Sequence, residues 1–259
     1  MSTAKKPAPK RSAAENPSSL FAPVVRGPAY TLVSSAIEAK IMRRELGEGD
    51  VLPAEGELAQ QFQVHRSTVR EALRRLESSG LVTRPPGAKR MVVSRPHVEK
   101  VALGMRQVML MHDVTFVEVW EAMMVIEPQV ASLAADRRSA AQLVELEQLA
   151  RSFTEESNDE EAVKIVSRFF ETLGDCAGNR VLMMAKRPLA QVLAPSLARM
   201  MGRVPQAKRR IVEAQRRIVA ALHERDRDDA LRWMTKHVRD FKRGYELAKI
   251  SADERISSD

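Results

Sequence analysis

Cysteine is almost missing: Cys176 is the only one in 259 residues. No internal disulfide can form, and a fold that needs stapling in an oxidising compartment is excluded. Aromatic residues are also scarce, at 4%. That argues against a β-rich fold and against a surface on which single-stranded bases stack. No apolar run approaches the roughly 20 residues that cross a bilayer, so a membrane protein is not expected. The basic N-terminus has no apolar segment behind it. A secretory signal is therefore not expected, and a cytoplasmic location is.

What is present is positive charge, with enough apolar side chains for real cores. Hydrophobic residues make up 44% and the formal net charge is +8, giving a pI near 9.9. This excess favours a polyanionic partner. The length accommodates two modest domains.

The stretch Leu52–Ser79 reads LPAEGELAQQFQVHRSTVREALRRLESS. Its first half predicts a helix from about Ala54 to Phe62, with Leu58, Ala59 and Phe62 on one face. Its second half predicts a helix from about Arg66 to Ser79, where Val69, Ala72, Leu73 and Leu76 recur at helical spacing. The few residues around Gln63 leave room only for a tight corner, which Val64 plugs from inside. This is the outline of a helix-turn-helix. On the second helix Arg66, Arg70 and Arg74 are spaced i, i+4, i+8 and share the face away from the apolar stripe. Ser67 and Thr68 stand at its start, where free N–H groups suit a phosphate. Arginine forks match the O6 and N7 acceptors of guanine in a major groove. Taken alone, such a helix also fits a solvated basic face.

Gly80 stands where a left-handed C-cap is wanted. Two β-prone runs follow, Leu81–Arg84 and Arg90–Ser94, with Pro85–Lys89 turning between them. A ribbon whose tip carries Gly87, Lys89 and Arg90 is a wing able to reach phosphates or a minor groove. Residues Tyr30 to about Pro96 resemble the winged-helix domain of the GntR family of bacterial transcription regulators. The resemblance is carried by Leu52-Pro53-Ala54-Glu55, Glu57-Leu58-Ala59, Val64, Arg66, Thr68–Leu73, Leu76, Gly80-Leu81-Val82 and Gly87. It implies DNA contact at Arg66, Ser67, Thr68, Arg70 and the wing at Gly87. Two positions depart from the family pattern: Gly56, where a basic residue is usual, and His65, where serine or threonine is common. They bear on which operator is read.

Residues 1–27 form a basic tail rich in Lys, Pro, Ala and Ser, predicted to be disordered. It either adds non-specific attraction to DNA or only solubilises. From Ala29 to about Arg44, Leu32, Ile37 and Ile41 predict an amphipathic helix behind the other two. A linker begins at Arg95-Pro96-His97. Amphipathic helices are then predicted at about 98–111, 115–137, 139–155, 158–176, 179–202, 205–224 and 227–249. The expected fold is mainly α. It comprises a winged helix-turn-helix over 28–96, an all-α bundle of six or seven helices over 97–250, and a tail over 251–259. Glu121–Ala135, Phe169–Leu182 and Arg217–Val238 resemble the ligand-sensing FCD domain of the FadR subfamily. That resemblance implies a homodimer on a palindromic double-stranded operator, modulated by a small-molecule effector.

Many FCD domains hold a divalent metal with one aspartate and three histidines. Anchored on Gly178-Asn179, Ala230 and His237, those positions are Val166, Phe170, Gln215 and His237 here. Only His237 can ligate well, so no metal cofactor is expected. Met123 stands where the family often has a basic residue. Met123, Val166, Phe170, Gln215 and His237 would line an apolar effector pocket with one or two polar groups, or simply pack as core. Met105, Met109, Met111, Met123 and Met124 read by default as core packing, with a dimer seam or that pocket as the alternatives. The acidic cluster Glu155–Glu161 reads as a solvated cap, and the basic run at Lys208–Arg217 as a solvated face. No catalytic constellation is present, and Cys176 has no signature around it, so an enzyme is not expected. A DNA regulator and a non-specific architectural DNA-binding protein remain the two readings that differ in kind.

Overall fold

The computed structural model describes residues 27–249 and Arg255; the tails predicted at either end lie outside them, apart from Gly27 and Arg255. The chain divides into two compact units, one ending at Pro96 and the other beginning at His97.

In the first unit α1 spans Ala29–Met42, α2 Glu55–Phe62 and α3 Arg66–Ser78. Val33 and Ile37 of α1 are buried, with Ile41 packed against the same cluster. Leu32 does not belong to that face and is 61% exposed. The i, i+4, i+8 stripe begins one residue later, at Val33, which moves Leu32 about 100° round the helix. On α3, Val69 and Ala72 are fully enclosed, and Leu73 and Leu76 are almost so. Each leucine contributes about 2 kcal/mol by burial. The corner between α2 and α3 turns at Gln63, which takes a left-handed φ of 53°.

After α3, Gly80 adopts φ +76°, and a Cβ there would stand 3.2 Å from the Cα of Pro96. Glycine is needed at that turn for both reasons. Strands β1 (Val82–Thr83) and β2 (Val92–Val93) pair antiparallel, Val82 opposite Val93, and Val51 bridges to Val92 on the outer side. The strands are shorter than the β-prone runs. Pro85 and Pro86 have no N–H to donate, so the ladder cannot continue towards the tip.

The second unit holds seven helices among the described residues: α4 Val98–Met111, α5 Phe116–Arg137, α6 Ala140–Glu155, α7 Asp159–Cys176, α8 Arg180–Arg203, α9 Gln206–His223 and α10 Arg227–Leu247. Their starts are written in single residues. Thr115, Ser139, Asn158, Asn179 and Asp226 each accept a backbone N–H of the following helix on the side-chain oxygen, which is the role these residue types favour. Small residues let α5 and α10 approach closely. Ala131, Ala134 and Ala135 are buried in one cluster with Ala230, Met234 and Val238. The indole N–H of Trp120 donates to the Val238 carbonyl at 2.9 Å. No helix among the described residues is long and apolar enough to cross a membrane.

Candidate functional site

The first candidate surface is the polar side of α3. Arg66, Ser67, Arg70 and Arg74 are exposed, and Thr68 is half-buried. The His65 side chain makes no capping hydrogen bond, although its carbonyl accepts from the N–H groups of Thr68 and Val69. The N–H groups of Arg66 and Ser67 at the start of the helix are thus left for an incoming anion. Arg70 is held: its Nε and Nη2 donate to one carboxylate oxygen of Glu55 at 3.2 and 3.0 Å. Arg66 lies across the backbone of Gly56. Arg74 is only loosely paired, 3.7 Å from Glu71.

The wing tip turns through Gly87 at φ +75°, with the Ala88 N–H donating to the Pro85 carbonyl at 3.0 Å. Lys89 and Arg90 are exposed beside it. Two ion pairs tie the wing to α2: Arg84 lies 3.8 Å from Glu55 and Arg90 3.8 Å from Glu57. The structure therefore gathers Arg66, Arg70 and Arg90 around the first turn of α2. Sequence reasoning missed the parts played by Glu55, Glu57 and Arg84. The only signal was three acidic or basic residues, scattered in the chain, that spacing could not pair.

The second candidate is a cavity of about 240 Å³ inside the helical unit, lined in part by Met123, Val166, Phe170 and His237. These four of the five expected pocket residues are brought together. Gln215 is not among them. Along α9 the cavity wall is Ile211, and Gln215, one turn further on, is fully enclosed with no hydrogen-bond partner for its amide. The wall is also more polar than expected. Lys186 of α8 donates to Glu127 of α5 at 3.1 Å and to the Phe170 carbonyl of α7 at 2.9 Å. That ion pair is 3% and 5% exposed, so it joins three helices in a dry setting. Arg187, Glu171 and Gln191 also face the cavity.

His237 stacks on Phe170, with ring centroids 4.6 Å apart. Burial pushes its imidazole down to about 4, so it is neutral at pH 7. A metal held here would need donors around this ring. Phenyl carbon occupies one flank and Val166 is enclosed elsewhere in the wall, so these residues do not fit one. No group of three or more His, Cys, Asp or Glu able to hold a metal occurs among the described residues. Cys176 is buried, and burial pushes its thiol up to about 11, which leaves little thiolate for nucleophilic chemistry.

Residues 29–92 match the family described as bacterial regulatory proteins, gntR family. Residues 118–240 match the FCD domain. The chain belongs to the GntR family. Its pairing of the two domains fits the FadR subfamily. It is similar to the HTH-type transcriptional repressor NanR of Edwardsiella tarda, 34% identical over 166 residues that span 62% of this chain and 63% of that one. It is 29% identical to the NanR repressor of Salmonella newport over 222 residues, covering 83% of this chain and 85% of the relative. Among solved structures, Streptococcus agalactiae GntR shares the fold with a TM-score of 0.59 and 24% identity, covering 83% of this chain and 99% of that one. This GntR protein is thus a sequence-specific DNA-binding transcription regulator with an effector-binding domain.

Proposed function

We propose that the protein binds a palindromic operator in double-stranded DNA as a homodimer, and that a small molecule in the cavity of the helical unit changes that affinity. Arg66 and Arg70 read base edges in the major groove. Ser67, Thr68 and Arg74, with Gly87, Lys89 and Arg90 of the wing, hold phosphates and fix the register. The observation that carries this reading is the exposed Arg66–Arg70 face opposite the buried stripe of α3. The relatives named as repressors support repression as the sign of control, exercised in the bacterial cytoplasm.

Dimerisation is supported by an apolar stripe on α4. Val101, Met105, Val108 and Met111 are 62, 51, 49 and 85% exposed, more than a solvated helix tolerates without a partner. The effector reading rests on Met123, Val166, Phe170 and His237 meeting at one cavity, with Gln215 outside it and no metal required. The effector acts by favouring one separation of the two winged helices, since it shifts operator affinity only through a difference between states. The test of base reading is Arg70→Ala. It should cost about 1–3 kcal/mol of operator binding and leave a scrambled duplex almost unaffected. Unchanged operator affinity would sink the assignment. Native mass spectrometry of freshly purified protein checks the rest, a dimer mass with a retained organic molecule being the expected result.

A further inference from the structure

We infer that the Glu55–Gly56 pair, at the first turn of α2, is a positioning platform that aims Arg66 and Arg70 and so sets operator specificity. The inference rests on the proposed base-reading role of those two arginines and goes beyond it. Neither Glu55 nor Gly56 touches a base in this account; both act through the side chains they hold.

Glu55 takes Arg70 from the side. Two donors, one on Nε and one on Nη2, go to a single oxygen at 3.2 and 3.0 Å. A guanidinium has five N–H donors in a rigid fork. The end of the fork stays free, and an end-on pair is what guanine O6 and N7 accept. The other oxygen of Glu55 lies 3.8 Å from Nη2 of Arg84. Arg84 in turn donates through Nη1 to the Lys89 carbonyl in the wing at 2.8 Å. One carboxylate therefore fixes a base-reading side chain and braces the wing.

Gly56 does the complementary work by having no side chain. A Cβ there would lie 3.0 Å from Nη2 of Arg66 and 3.3 Å from its Cζ and Nε. The guanidinium rests across bare backbone, and any substituent lifts it. The two base-reading arginines are thus seated on consecutive residues, one by a charge and one by a space. This also gives a physical sense to glycine at position 56, where the family resemblance implies a basic residue. Here the first turn of α2 receives an arginine from α3 instead of contributing its own.

A carboxylate close to DNA repels phosphates, so Glu55 cannot serve general affinity. That separates positioning from mere structural support. The assay compares two probes on the full-length protein: the duplex that wild type selects from a randomised pool, and a scrambled duplex of the same composition. Glu55→Gln should lower selected-over-scrambled preference about tenfold, with scrambled binding unchanged or tighter. Gly56→Ala should lower the preference by a smaller factor while the melting temperature holds or rises, because alanine is the better helix former. Gly56→Arg should select a different sequence from the pool. Loss of both affinities together in Glu55→Gln would make its role structural and overturn the platform. So would full preference in both Glu55→Gln and Gly56→Ala. If Arg70→Ala also keeps full preference, or wild type selects nothing, base reading itself has failed; if Arg70→Ala loses it, only the platform has.

Discussion

The two units place charge in opposite settings. In the DNA-facing unit the decisive ion pairs lie open to solvent: the side chains of Arg70 and Glu55 are 57% and 27% exposed. In the helical unit the decisive pair, Lys186 with Glu127, is 3% and 5% exposed. An exposed pair contributes little to stability but holds geometry, and it can be shared with an incoming polyanion. A buried pair is locked into the fold, because removing one partner strands the other. The same two charge types therefore work as an aiming device in one unit and as a rivet in the other.

The largest expected effect tests the rivet. Lys186→Met should destabilise the helical unit by about 3–5 kcal/mol, read as lost hydrogen-exchange protection in α5, α7 and α8. Glu127→Leu added to it should restore much of that loss, because no stranded carboxylate remains. By contrast Arg70→Ala should leave protection in the winged helix nearly unchanged while weakening operator binding. If Lys186→Met proves as mild as Arg70→Ala, the contrast between the units is wrong.

The next effect is a pH dependence confined to the helical unit. His237 stands near 6.5 when unfolded and at about 4 in the fold, lowered by burial. Between these values the unfolded chain binds more protons, so stability rises with pH. The contribution is fully present above about 6.5 and is lost as pH falls towards 4, a total of about 3 kcal/mol from the size of the shift. His237→Phe should remove that slope. A slope that persists in the variant would place the responsible group elsewhere.

What could be read from the chain alone follows the range of the interactions. Spacing of three or four residues put Arg66, Arg70 and Arg74 on one face, and the same rule placed Val69, Ala72, Leu73 and Leu76 in the core. Helix starts were legible because Thr115, Ser139, Asn158, Asn179 and Asp226 act on their immediate neighbours. Longer reach was not legible. Glu55 meets Arg70 across 15 residues, and Glu127 meets Lys186 across 59. No periodicity encodes such meetings; they follow from how helices pack. The pocket shows both regimes at once. Family positions pointed to Met123, Val166, Phe170 and His237, and these four line one cavity, but where that cavity ends along α9 depends on packing, and Gln215 lies beyond it.

The last comparison lies inside the first unit and includes the smallest expected effect, that of Leu32→Ala. Leu32 and Ile37 are both apolar residues of α1, yet one is 61% exposed and the other 3%. Ile37→Ala should cost about 2–5 kcal/mol, the transfer loss plus the cavity left in a packed core. Leu32→Ala should change stability by no more than about 0.5 kcal/mol, since it removes little buried surface and alanine suits a helix. Thermal melts followed in the winged-helix region read both. Equal losses would mean that Leu32 is covered in solution. Because Leu32 is not part of the buried cluster among the described residues of its unit, such a result would point to a further surface lying over α1.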